Sequence, residues 1–142
     1  MKSLRRIMLG ALFSLVAATI VFAQTVPLKY LSAASTNSTL VHAGPTYLNA
    51  LIVVNTTTTI YYLKLYSKAT APTCGTDTPL WTIPIPYGAS NAGGGVATPN
   101  GSLQFPLGLG FCLTSGIADT DTGSATTGVA INFGISGAAN NP

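Results

Sequence analysis

Thr58-Thr59-Ile60-Tyr61-Tyr62-Leu63-Lys64-Leu65-Tyr66-Ser67 is the stretch on which the fold turns. Tyr61, Leu63 and Leu65 alternate with Ile60, Tyr62, Lys64 and Tyr66. A period of two in β-branched and aromatic residues specifies a strand, with successive side chains on opposite faces. One face is aliphatic and the other mixes rings with a cation. Upstream, Leu48 to Val54 is a nearly continuous apolar run, the pattern of a strand buried on both faces. Asn55-Thr56-Thr57 between the two reads as the turn of a hairpin.

Working outward, the same vocabulary of Thr, Val, Ile and Tyr punctuated by Gly, Pro, Asn and Ser predicts further short strands. They are Pro27 to Leu31, Thr39 to His42, Leu80 to Ile85, Ser102 to Phe105, Phe111 to Thr114 and Val129 to Ile135. The chain has no Glu and no capped apolar stripe of period 3.6 beyond residue 23, so no helix is expected there. About eight short strands in one unit predict an all-β fold, a single antiparallel β-sandwich or jelly-roll-like domain. Pro84 and Pro86 place Trp81 to Pro86 at a sheet edge, where a missing donor faces outward. Ser90 to Gly101, with Gly93-Gly94-Gly95 and Pro99, reads as a flexible surface loop, and Gly137 to Pro142 as a frayed tail.

The N-terminus follows a different rule. Lys2, Arg5 and Arg6 precede a 16-residue apolar run from Ile7 to Phe22, and Val21-Phe22-Ala23 supplies small residues at the −3 and −1 positions. This is the pattern of a secretory signal peptide over residues 1–23, leaving a domain from 24 to 142 with its core at about 35–136. The net charge of +3 belongs to that leader. Beyond it, Lys29, Lys64 and Lys68 balance Asp77, Asp119 and Asp121, giving 3 − 3 = 0. A neutral domain with three cations cannot build the basic field that nucleic acid requires. Its lone His42 and three acids leave little for general acid–base chemistry, so a non-enzyme is expected. Cys74 and Cys112 are the only cysteines, and in an exported chain a disulfide between them is the default. Metal binding is disfavoured because these two and His42 lack ligand-pair spacing, and no cofactor is expected.

Several short motifs compete with plainer readings. Asp121-Thr122-Gly123-Ser124 matches the brief signature of aspartic proteases, but the Asp follows Ala118-Asp119-Thr120 in a polar loop and lacks the required partner carboxylate. Asp119 and Asp121 also open a calcium-loop pattern whose remaining ligands are missing, leaving a candidate weak ion site. Asp77 reads as a turn former, and His42 as an exposed or hydrogen-bonded strand-end residue. Asn37, Asn55 and Asn100 head glycosylation-type triplets. Tyr61, Tyr62, Tyr66 and Trp81 form a candidate binding face for carbohydrate or protein.

From Ser35 onward the chain resembles a group of small proteins encoded in tailed-phage and prophage genomes beside virion structural genes. The matching stretches are Ser35 to Val41 with Ala43-Gly44, Val53 to Thr56, Tyr62 to Ala69, Ala71 to Thr73, and Gly75 to Pro79. Thr82 to Pro86, Gly108 to Phe111 and Thr114 to Thr122 complete the set, which spans about Ser35 to Ser136. The resemblance implies a β-sandwich virion component decorating heads or forming tail parts, with no catalytic residues. The leader and the cysteine pair depart from that group and point to export, to the periplasm or cell surface. The expected partners are therefore proteins, either further copies of this chain or a virion shell. A carbohydrate or cell surface is the alternative, and the membrane is met only transiently through the leader.

Overall fold

The computed structural model describes residues 25–88, 94–98 and 102–137; the expected leader lies outside them. Among these residues the structure is all-β, with two antiparallel sheets packed face to face. Nine strands follow in order: β1 (Val26–Leu31), β2 (Thr39–Ala43), β3 (Thr46–Asn55), β4 (Tyr61–Ser67), β5 (Trp81–Ile85), β6 (Gly94–Thr98), β7 (Leu103–Phe105), β8 (Gly108–Thr114) and β9 (Val129–Gly137). The first sheet has the order β1-β9-β3-β6, with β7 also pairing β3, and the second has the order β2-β8-β4-β5.

β6 and β7 share one place beside β3: Asn55 to Leu51 pair with Gly94 to Thr98, and Leu48 to Thr46 with Leu103 to Phe105. Counting them as one interrupted strand, consecutive strands alternate between the sheets except for the β4–β5 pair. That wrapping is the jelly roll, a double-sheet form of the sandwich. Part of the segment expected as a loop, Gly94–Thr98, is thus an edge strand. Its glycines hid the strand from composition, yet small residues suit an edge laid against β3. The rest of that loop and the tail beyond Gly137 lie outside the described residues.

Leu51, Val53, Leu63, Leu65, Leu109, Phe111, Leu113, Ile131 and Phe133 fill the space between the sheets. Tyr30, Phe111 and Phe133 meet there with ring centroids 5.4–5.8 Å apart, two of the contacts edge-on, a favoured aromatic geometry. Tyr30 comes from β1, so the sandwich begins before the resemblance at Ser35 does. Burial holds the Tyr30 phenol above its usual pKa.

Two expectations about β3 and β4 are corrected. β3 is buried on one face only: Leu51, Val53 and Asn55 point inward, whereas Ile52 is 53 % and Val54 39 % exposed. Asn55-Thr56-Thr57 is no hairpin turn, because β3 and β4 lie in different sheets. It is a crossing corner. Buried Asn55 donates to the Thr59 and Ile85 carbonyls and accepts from Thr57 N–H. The proline-bearing strand does lie at an edge, since among the described residues β5 pairs only with β4.

Candidate functional site

The expected aromatic face does not assemble. Tyr61 and Tyr62 are consecutive on β4 and therefore point to opposite sides. Tyr61 enters the core and its hydroxyl meets Thr126 Oγ1 at 2.8 Å. Tyr62 is half-buried, Tyr66 is 1 % exposed, and Trp81 is 49 % exposed at the far end of β5. The signal misread here was exposure: alternation places side chains on a face but does not say what covers it.

What covers that face is the chain itself. The outer side of the second sheet carries Tyr66, Lys64 and Cys112, all buried. The β4–β5 loop lies over it and is tied down by the Cys74–Cys112 disulfide, with Cα atoms 6.0 Å apart. Pro72 packs on Gly110 so closely that a Cβ there would stand 2.8 Å from its Cδ. In the same loop, Lys68 and Thr73 N–H both bond Asp77 Oδ2, which confirms Asp77 as a turn former. The Lys68 hydrogen bond, followed by that from Thr73, holds the Asp77 carboxyl below the usual range.

The β8–β9 loop adds a second cover, and here both acids of the candidate ion site are placed. Asp121 Oδ2 accepts from Gly116 N–H at 2.8 Å and Gly123 N–H at 3.2 Å, so this carboxylate staples its own loop. Asp119 is exposed. Among the described residues no group of three His, Cys, Asp or Glu is placed to hold a metal ion. The Lys64 ammonium donates to the Ala118 carbonyl from beneath this loop. Desolvation lowers its pKa, opposed by attraction to Asp121 and Asp119. His42 Nδ1 lies 2.7 Å from Thr46 Oγ1, a hydrogen-bonded strand residue as expected. Asn37 and Asn55 use their amides on the backbone, and Asn100 lies outside the described residues.

The first sheet has no such cover among the described residues. Its outer face is a grid fixed by strand register: Leu31, Ala130, Val54 and Gly95 in one row; Lys29, Asn132 and Ile52 in the next; Pro27, Gly134 and Ala50 in a third; beyond the irregularity at Leu48/Ala50, Tyr47 lies beside Gln104. Leu31 is 70 % and Ile52 53 % exposed, and Lys29 is the one charge in the grid. An outward sheet face is ordinarily polar, so a face of small and aliphatic side chains marks a site of interaction. At the Leu31 end it opens into a groove of about 440 Å³ lined by Leu31, Ser32, Val54, Thr56 and Thr127–Ala130. The corner that closes the groove is held by Thr56 N–H and Oγ1, both donating to Gly128 O.

Sequence reasoning missed this surface because the apolar run of β3 was assigned to a strand buried on both sides. The same residues in a strand covered on one side only would have exposed Ile52 and Val54. Comparison with protein families, curated proteins and solved structures finds no match to this chain.

Proposed function

We propose that this chain is a non-enzymatic structural protein of phage-virion type, exported, that works by docking an uncovered jelly-roll face against other protein. The observation that supports this most directly is the grid on the first sheet, where Leu31, Ile52 and Val54 stand exposed around a single cation. Such a surface gains by burying apolar area and offers little for electrostatic steering. The jelly roll is shared by viral shell domains and lectins, so the fold alone does not choose between them. The choice is favoured by the surface: the four aromatics that would line a sugar site are divided between core, cover and edge. The disulfide adds support for an oxidising compartment, where such bonds persist.

Density-gradient fractionation of a producing culture tests the reading. The protein should travel with particles, and Leu31→Asp with Val54→Lys should move it to the soluble fraction while leaving its melting curve intact. A wild-type protein found only as soluble material, or one captured by polysaccharide through Trp81, would refute it.

A further inference from the structure

We infer that the occupant of the uncovered face is a second copy of the same chain, packed sheet to sheet about a two-fold axis parallel to the strands. This rests on the docking function proposed above and names its partner. The argument comes from the grid. A two-fold axis along the strands lays β1 over the partner's β6 and β9 over the partner's β3, each row facing its own equivalent. Leu31, the most exposed large apolar side chain of the face at 70 %, then falls opposite the partner's Gly95, which has no side chain. Val54 falls opposite the partner's Ala130, and each relation is repeated by symmetry. Large thus meets small along the first row, the pairing that lets two sheets interdigitate about 10 Å apart.

Charge selects the same arrangement. The grid contains one charged residue, Lys29, on the edge strand β1. With the axis along the strands, the two lysines lie at opposite edges, separated by three strand spacings of about 4.8 Å, beyond the screening length of about 8 Å. With the axis across the strands, β1 would cover β1 and the two lysines would face each other in a dry interface.

Area sets the strength. A face about 20 Å by 20 Å, from that spacing and a rise of about 3.3 Å per residue, would bury about 800 Å² in the pair. That is below the roughly 1,200 Å² of stable specific interfaces, so the pair is weak alone and accumulates where many copies are held together.

Sedimentation velocity across a concentration series of the exported, purified protein tests this. Reversible association is expected between about 10 µM and 1 mM, weakened at least tenfold by Leu31→Asp and by Val54→Lys, and unchanged by Trp81→Ser on the other sheet. Each variant is checked by circular dichroism and thermal melting, and the two exposed positions provide independent readouts. Lys29→Cys under mild oxidation should not yield a covalent dimer; efficient cross-linking there would overturn the arrangement. A strict monomer up to about 1 mM overturns the self-association. A monomer that still travels with particles, and loses them with Leu31→Asp, sinks this inference but leaves the docking function standing. A monomer that never joins particles sinks both.

Discussion

Replacing Tyr66 with Phe should stabilise this protein. Tyr66 is 1 % exposed, and its hydroxyl has no hydrogen-bond partner among the described residues. A buried polar group left unpaired costs about 1–3 kcal/mol relative to its solvated state. Phenylalanine keeps the ring that packs beneath the strapped loops and removes the oxygen. Allowing for incomplete burial of the cost, the expected gain at pH 7 is about 1 kcal/mol, a rise of about 4 °C in Tm for a domain of this size.

The ionisation of the same group supplies a second, independent signature. Burial, reinforced by the fields of Asp119 and Asp77, pushes the Tyr66 pKa up from 10.0 to about 12. The folded state therefore holds the proton to a higher pH than the unfolded chain does. Below pH 10 both states are neutral and nothing changes. Between pH 10 and 12 the unfolded chain ionises first, so the wild type loses stability, by roughly 3 kcal/mol across the window at about 1.4 kcal/mol per pH unit. Lys64 titrates in both proteins and cancels in the difference. Guanidinium unfolding of wild type and Tyr66→Phe at pH 7, 10 and 11.5 measures both effects. The stability difference should be constant up to pH 10 and then widen in favour of the variant. A variant weaker than wild type by 1 kcal/mol at pH 7 refutes the unpaired hydroxyl. Difference curves that stay flat above pH 10 refute the buried phenol.

Four further outcomes follow from the same structure. Reducing Cys74–Cys112, which closes a separation of 38 residues, should lower stability by roughly 4 kcal/mol on the chain-entropy account; an unchanged guanidinium midpoint with reductant contradicts it. Gly108 has φ +134°, and a Cβ there would stand 2.5 Å from Lys68 O and 2.7 Å from His42 O. Gly108→Ala should therefore cost about 2 kcal/mol or more in chemical unfolding, and a neutral result would show that the β7–β8 corner can move. Asp121→Ala frees the N–H groups of Gly116 and Gly123 and should cost about 2 kcal/mol; peptidase activity that appears in the wild type and vanishes in Asp121→Asn would instead revive the protease reading. Phe133→Ala, at a ring 1 % exposed and in contact with Tyr30 and Phe111, should cost about 3–5 kcal/mol, and a loss below 1 kcal/mol would mean the triad does not hold the sheets together.

Much of the fold was legible because alternation and turn chemistry are local. The period of two in Tyr61 to Ser67, the prolines of β5 and the absence of helical stripes each carried their own evidence. β6 was illegible for a physical reason: Gly94, Gly95 and Ala97 have no propensity of their own and become strand only because β3 offers ladder partners. The hairpin expected at Asn55 failed in the same way, since a crossing corner and a hairpin can share turn residues and only the sheet partner tells them apart. The candidate site suffered most, because cover is a tertiary property. The aromatic strand looked open and is roofed by a loop that a disulfide fastens, while the apolar strand looked buried and is open on one side.

The distribution of charge ties these points together. From residue 24 onward the chain carries six charged residues, Lys29, Lys64, Lys68, Asp77, Asp119 and Asp121. Five of them belong to the second sheet and the loops that roof it. Lys68 and Asp77 form an ion pair that shapes the disulfide loop, and Asp121 staples the β8–β9 loop. Lys64 reaches from β4 to the carbonyl of Ala118 beneath it, with Asp119 on the same loop. Four of these charges, Lys64, Lys68, Asp77 and Asp121, organise cover, and Asp119 stands exposed on the same side of the molecule. The remaining one, Lys29, stands at the edge of a face whose three rows from Leu31 to Ala50 are otherwise uncharged, with Tyr47 and Gln104 beyond them. Net charge and charged rims are what ordinarily hold a sheet face in water as a monomer. A domain that confines its charges to one side has removed that barrier on the other. A uniform surface of zero net charge would be merely poorly soluble; a two-sided one, roofed on the second sheet and, among the described residues, uncovered on the first, gives the proposed association its direction.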